Sequence, residues 1–156
     1  MITLEPIGAV RSPRTNAEDD FWGGVIAEIV VDEPLGEEAL AGIEAFSHAE
    51  VIFYFHQVDP ERIVAGSRHP RSNPAWPKVG ILAQRAKFRP NRLGLTVVRI
   101  VERKGNVLRV AGLDAIDGTP VLDIKPVMRE FLPREDVHQP DWATELMQNY
   151  WNDAAS

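Results

Sequence analysis

Gly112 to Pro126 reads GLDAIDGTPVLDIKP, a turn followed at once by a short apolar run. Asp117-Gly118 is a strong turn signal, and Pro120 just beyond it keeps the chain from re-entering a helix. Val121-Leu122-Asp123-Ile124 then predicts a strand, with Leu122 and Ile124 on one face and Val121, Asp123 and Lys125 on the other. Taken alone, the stretch is a hairpin with a solvated charged face. Three aspartates (Asp114, Asp117, Asp123) and Lys125 among apolar residues also suit a site, and the neighbouring sequence must decide between the two readings.

Moving outward, short strands accumulate. Leu95 to Val101 and Asn106 to Ala111 predict a hairpin around Lys104-Gly105, and Val79 to Ala83 predicts a further strand. Val51 to His56 is an aromatic and β-branched run suited to a central strand. Val25 to Val31 alternates as a half-buried strand does, and Ile7 to Val10 and Ile2 to Leu4 read as shorter ones. Helical period is confined to two places. Leu35, Ala39, Leu40, Ile43 and Phe46 share a face over Leu35 to Phe46. Asp141 is placed to cap a helix from Trp142 to about Trp151, with Trp142, Leu146 and Tyr150 on one side. That last helix has to dock on the domain or on a partner subunit to bury its rings. Val58 to Pro77 is long and irregular, with four prolines, which in a small domain points to function or disorder. The expected class is mainly β with short helices: a small antiparallel β-barrel, because closure removes exposed strand edges. Residues 1–133 are expected to form the barrel domain and 134–156 a C-terminal linker and helix.

At 156 residues the chain is about one domain. With no cysteine it has no disulfide, thiolate nucleophile or Cys-ligated zinc. The N-terminus carries no signal-like apolar core and no window approaches a membrane span, which predicts a soluble, cytoplasmic protein. The net charge of −6 argues weakly against nucleic acid, but its distribution says more. Between Arg62 and Arg109 there are twelve Lys or Arg and one acid, Glu102, leaving five basic and 22 acidic residues elsewhere. Such a basic middle either makes an anion-binding surface or pairs with the acidic segments in the fold.

Several chemistries are unsupported. His48, His56 and His69 lack metal-ligand spacing, so no metal site is expected. No GxSxG elbow, GxGxxG or GxxxxGK occurs. Arg85 to Gly94 differs: three arginines and a lysine within eight residues are costly to gather without an anion or acidic partner. Pro90 and Gly94 bracket Asn91, which predicts a rigid loop able to hold a carboxylate or a phosphate.

The ordered set Ile7 to Pro13 (IGAVRSP), Phe46-Ser47-His48, His69-Pro70-Arg71, Val79 to Arg85 (VGILAQR), Arg89 to Gly94 (RPNRLG) and Leu113 to Pro126 resembles the TrmO (YaeB, TsaA-like) family. The resemblance spans roughly residues 5 to 130. It implies an S-adenosylmethionine-dependent tRNA methyltransferase with a β-barrel unlike the doubly wound fold of most methyltransferases. It further implies a homodimer and N6-methylation of the threonylcarbamoyl-adenosine beside the anticodon of a tRNA. By position in the motifs it assigns Trp22, Gly23, Gly24, Val58, Asp59, Arg85, Leu95, Gly112, Leu113 and Asp114 to the cofactor. Asp123 and Asp117 are candidates to accept the N6 proton, with Lys125, Arg89 and Asn91 orienting the substrate.

The sequence departs from the family pattern in three respects. It reads as a short form, without the further C-terminal domain of longer members. Val127 stands where a tyrosine usually follows Lys-Pro, and Asp20 to Gly24 replaces a Pro-Arg-Gln-Pro-Gly-type segment. Other readings therefore stay open: a methyltransferase of this fold with another RNA or a small molecule as acceptor, or a non-catalytic dimeric module binding the cofactor or RNA.

Overall fold

A computed structural model of the chain describes residues 1–153. Eight strands form: β1 (Gly8–Arg11), β2 (Ile26–Val31), β3 (His48–Tyr54), β4 (Ser67–Arg68), β5 (Val79–Gly80), β6 (Leu93–Lys104), β7 (Val107–Ala111) and β8 (Pro120–Pro126). Six of them close a barrel in the order β1-β2-β7-β6-β3-β8, every pairing antiparallel, while β4 and β5 make a separate two-stranded ribbon. The expected barrel is what forms. Alternation drives it: Ala27, Ile29 and Val31 of β2, Ala49, Val51 and Phe53 of β3, and Leu108 and Val110 of β7 point inward as one core with Val10, Val98 and Val121.

β6 is the long element. Its first half pairs with β3 (Leu93 opposite Tyr54) and its second half with β7 (Lys104 opposite Val107). Gly94 is required where β6 begins, because a Cβ there would lie 2.5 Å from the Phe53 ring.

Five expectations are corrected. Leu35 to Phe46 is not one helix: it forms two single turns, Glu38–Leu40 and Ile43–Ala45, separated by Gly42 at φ +93°. The left-handed glycine breaks the helical repeat, and of the predicted face only Leu40 is fully buried. Ile2 to Leu4 is exposed and unpaired, since both neighbours of β1 in the closed sheet are already taken. The strand expected over Val79 to Ala83 stops at Gly80, and Ile81–Ala83 turns. The last helix covers only Asp141–Leu146, and its N-cap position is Pro140, so Asp141 makes no cap. Finally, Val121 faces the core instead of sharing a face with Asp123. The register slips between Ile52 and Phe53, leaving Leu122 as an extra residue that reverses the alternation.

Antiparallel closure gives the barrel two ends. At one, three connections meet: residues 12–25 between β1 and β2, 55–92 between β3 and β6, and 112–119 between β7 and β8. At the other lie the two-residue turn Gly105-Asn106 and the segment 32–47. Among the described residues, no helix is long and apolar enough to cross a membrane.

Candidate functional site

The loop-rich rim gathers most of the residues singled out in the sequence. The segment 112–119 crosses the barrel mouth, bonded to β2's lead-in by Gly112 N–H to the Val25 carbonyl (3.0 Å) and to β1 by Gly118 N–H to the Val10 carbonyl (2.8 Å). Leu113 and Ala115 are buried in the core beneath it, while Gly112 and Asp114 stay partly open. The predicted turn is present, with Gly118 at φ +81° beside His56.

Asp114 is held from two sides. The Thr96 hydroxyl of β6 donates to one carboxylate oxygen at 2.5 Å, and the Tyr150 hydroxyl donates to the other. Burial pushes the Tyr150 hydroxyl above the ordinary phenol range. The Asp114 charge adds to this, whereas the Arg85 and Arg71 charges pull it down. Tyr150 is therefore a fixed donor, and two guanidiniums lie near enough to share its field. Arg85 also donates to the Leu95 carbonyl, so these two predicted cofactor residues meet.

Trp22, Gly23 and Gly24 lie at the same rim, and the chain's own C-terminal segment covers them. Phe21 N–H donates to the Asn149 carbonyl (3.1 Å) and Trp22 N–H to the Tyr150 carbonyl (2.8 Å). A Cβ on Gly23 would collide with the Trp151 carbonyl, and one on Gly24 would meet the Asp153 carboxylate. Gly23 admits a close approach of backbone and Gly24 of a side chain, and both belong to the chain's own C-terminal segment. Trp22 is buried, its indole donating to the Glu18 carbonyl (3.1 Å) with the Arg14 guanidinium 3.9 Å above its ring. Glu145 on the last helix adds a tie by accepting from the Trp76 indole at 2.8 Å.

The 55–92 connection supplies the rest. Val58 is buried and its carbonyl accepts from Arg92 (3.0 Å), and Asp59 caps the turn Pro60–Arg62 through Glu61 N–H (2.9 Å). Asn91 and Arg92 adopt φ +65° and +50°, the rigid turn expected from Pro90 and Gly94. Arg89 donates to the Gln84 carbonyl at 2.6 Å.

The two readings of the basic middle divide largely by position, although Arg99 on the barrel wall also has no carboxylate partner among the described residues. Arg103 pairs with Glu44 (2.9 Å), and Arg109 and Lys104 with Glu102, on the barrel wall and at the far end. On the rim loop Arg71 pairs with Asp20 (3.0 Å). Among the described residues, Arg62, Arg68, Lys78, Arg85, Lys87, Arg89 and Arg92 carry no carboxylate partner within ion-pair distance. Instead Arg62, Arg68 and Lys87 cluster round the Phe88 ring at 4.2, 5.6 and 5.4 Å. That leaves a positive, aromatic-centred cluster on the connection that also carries Arg85, at the same end of the barrel as Asp114.

Two predicted residues are not brought in. Asp123 and Lys125 project from the outer face of β8, opposite Ile52 and Glu50 of β3, and pair with each other at 3.8 Å. Asp117 is on the rim, accepting from Ser12 N–H (3.0 Å), and lines an open groove with Arg11 and Glu28. Sequence reasoning did not assign Thr96 or Tyr150 to the site, and took Arg71 as part of a family motif. For Tyr150 a signal existed in the ringed face of the last helix, which had to dock somewhere. Nothing in the sequence said that it would dock at this rim. Among the described residues no cluster of three or more His, Asp or Glu is arranged to hold a metal ion.

Residues 12–131 match the family model of the tRNA-methyltransferase O N-terminal domain. A probable S-adenosyl-L-methionine-binding protein of Pyrococcus abyssi is 40% identical over 146 residues, covering 88% of this chain and 74% of its own length. The human tRNA (adenine(37)-N6)-methyltransferase is 38% identical over 104 residues, 67% of this chain but only 23% of the human protein. A crystal structure of TrmO from P. aeruginosa superimposes with a TM-score of 0.73 at 30% identity, over 91% of this chain and 62% of that one.

Proposed function

The chain belongs to the tRNA-methyltransferase O family, and from that premise we propose that it transfers a methyl group from S-adenosylmethionine to N6 of adenosine 37 in tRNA. The acceptor is the threonylcarbamoyl-modified adenosine. One observation carries the reading: Asp114 and Gly112 share a rim with a basic loop whose cations, Arg85 among them and Arg71 apart, have no carboxylate partner among the described residues.

The donor set fits the cofactor by type. A carboxylate (Asp114) suits hydroxyl or ammonium donors, and the Arg85 guanidinium suits a carboxylate tail. When bound, the cofactor supplies an electrophilic methyl on a sulfonium. The protein's share is alignment, because an in-line displacement needs little covalent help. Asp117, on the rim, would accept the N6 proton, with Arg89 and Asn91 of the 55–92 connection orienting the substrate. Asp123 and Lys125 would serve only a substrate lying along the outer face of β8. Full turnover in Asp123→Ala removes them from the mechanism.

The arginines and lysine around Phe88 give the tRNA backbone a cationic footing with a stacking ring at its centre. A second copy of the chain has a candidate seat in the exposed apolar stripe Leu95, Val97 and Val101 on the outer face of β6. A cytoplasmic location goes with a tRNA substrate. Residues 1–133 form the methyltransferase domain, with 134–156 as its C-terminal extension.

The test is transfer of labelled methyl from S-adenosylmethionine to bulk tRNA with and without the threonylcarbamoyl group. Label confined to modified tRNA is the expected result. Label in neither, with the cofactor bound, would leave another acceptor to be found and refute the substrate assignment.

A further inference from the structure

The C-terminal segment is built into the rim and not laid loosely upon it. Two backbone hydrogen bonds tie Asn149 and Tyr150 to Phe21 and Trp22, and side-chain hydrogen bonds join Glu145 to Trp76 and Tyr150 to Asp114. Gly23 meets the Trp151 backbone with no room for a methyl group, and the Trp151 ring reaches Gly112. A removable plug would not need a glycine of the barrel to be shaped for its backbone.

Within that wall the Tyr150 hydroxyl faces Asp114. The Tyr150 hydroxyl and the Thr96 hydroxyl take one Asp114 oxygen each. A carboxylate offers about four lone-pair positions, so roughly two remain for a ligand while the plane of the group is pinned from both ends. We propose that Tyr150 is a positioning residue of the cofactor site: its hydroxyl orients Asp114 so that the remaining lone pairs meet S-adenosylmethionine. The C-terminal segment is then a permanent wall of the site. This rests on the cofactor reading given above.

Tyr150→Phe in the full chain removes the one hydrogen bond and keeps the ring. A hydrogen bond to a charged group accounts for about tenfold or somewhat more in affinity. The expected result is a roughly tenfold rise in the dissociation constant and KM for S-adenosylmethionine, with kcat and the KM for tRNA within about twofold of wild type. In an Asp114→Asn background the same substitution should add little, since the two groups act as one unit. Hydrogen exchange at the Phe21 and Trp22 amides shows whether the segment stays docked. Protected amides with unchanged cofactor binding overturn the proposal. So does tighter binding, which would make the segment an occluding arm. If protection is lost, Thr96→Val, which frees the opposite oxygen from within the barrel, takes over the test, and unchanged cofactor binding there overturns it too. Wild-type protein that fails to bind the cofactor at all would sink the functional reading and this inference with it. Binding by wild type matched by Tyr150→Phe sinks only the inference.

Discussion

The two ends of this barrel are made from the same six strands and do different work. The far end is closed by the tight turn Gly105-Asn106 and two single helical turns, and its principal charges pair with each other, Arg103 with Glu44. At the loop-rich end most cations of the 55–92 connection, Arg71 apart, lean on carbonyls and on the Phe88 ring, and Asp114 is fixed by hydroxyls instead of by a cation. Paired charges satisfy themselves. Charges held in place without partners remain available to something else, and that difference separates a structural end from a binding end.

Substituting glycines sharpens the contrast most. Gly23→Ala should push the Trp151 backbone off the rim and cost about 1–3 kcal/mol by overpacking, measured by chemical denaturation, with loss of amide protection at Trp22. Gly66→Ala, in the rim connection but with nothing within 4 Å of the added methyl, should change stability by less than about 0.5 kcal/mol. Equal effects would mean that the docking of the C-terminal segment contributes nothing.

Charge removal gives the next largest effect. The double substitution Arg62→Ala and Arg68→Ala should weaken tRNA binding about tenfold at moderate salt and lower the salt slope by about two. Arg103→Ala, which breaks a pair at the other end, should leave that slope alone. Filter binding across a salt series tests both, and an equal loss of slope would abolish the distinction between the ends.

Titration separates them further. Tyr150 has a folded value raised above the ordinary 10.0, so its contribution is intact below pH 10 and is lost as pH rises beyond it. Stability should fall by up to about 1.4 kcal/mol per pH unit there, and Tyr150→Phe should flatten that limb. Denaturation midpoints at pH 9 to 11.5 provide the check. At the far end the hydrogen bond from Arg103 holds the Glu44 carboxyl down at about 2 from 4.5. Its contribution is present above pH 4.5 and lost as pH falls toward 2. Being solvent-exposed, the pair gives the smallest effect proposed, seen in Glu44→Gln only as a slightly shallower acid limb.

Much of this was legible in the residues. Alternation in Val25 to Val31 and the aromatic and β-branched run Val51 to His56, together with turn signals at Lys104-Gly105 and Asp117-Gly118, determined a β-rich chain, because strand period and turn chemistry are local properties. The order of the motifs carried the resemblance to the family. What failed locally failed for a stated reason: Gly42 broke a helix whose periodicity was sound, and a one-residue slip at Leu122 moved Val121 inside. Pairing register is settled between strands, and no single strand encodes it.

The sequence by itself therefore determined the strands, the turns and the separation of charge along the chain. Only the tertiary structure decided that residues 12–25, 55–92 and 112–119 share one rim, that Asp123 and Lys125 lie outside it, and that Tyr150 reaches Asp114 across 36 positions. Those outcomes follow from closure of the sheet. Once six strands are joined in a ring, alternate connections must emerge at the same end, and residues far apart along the chain meet there.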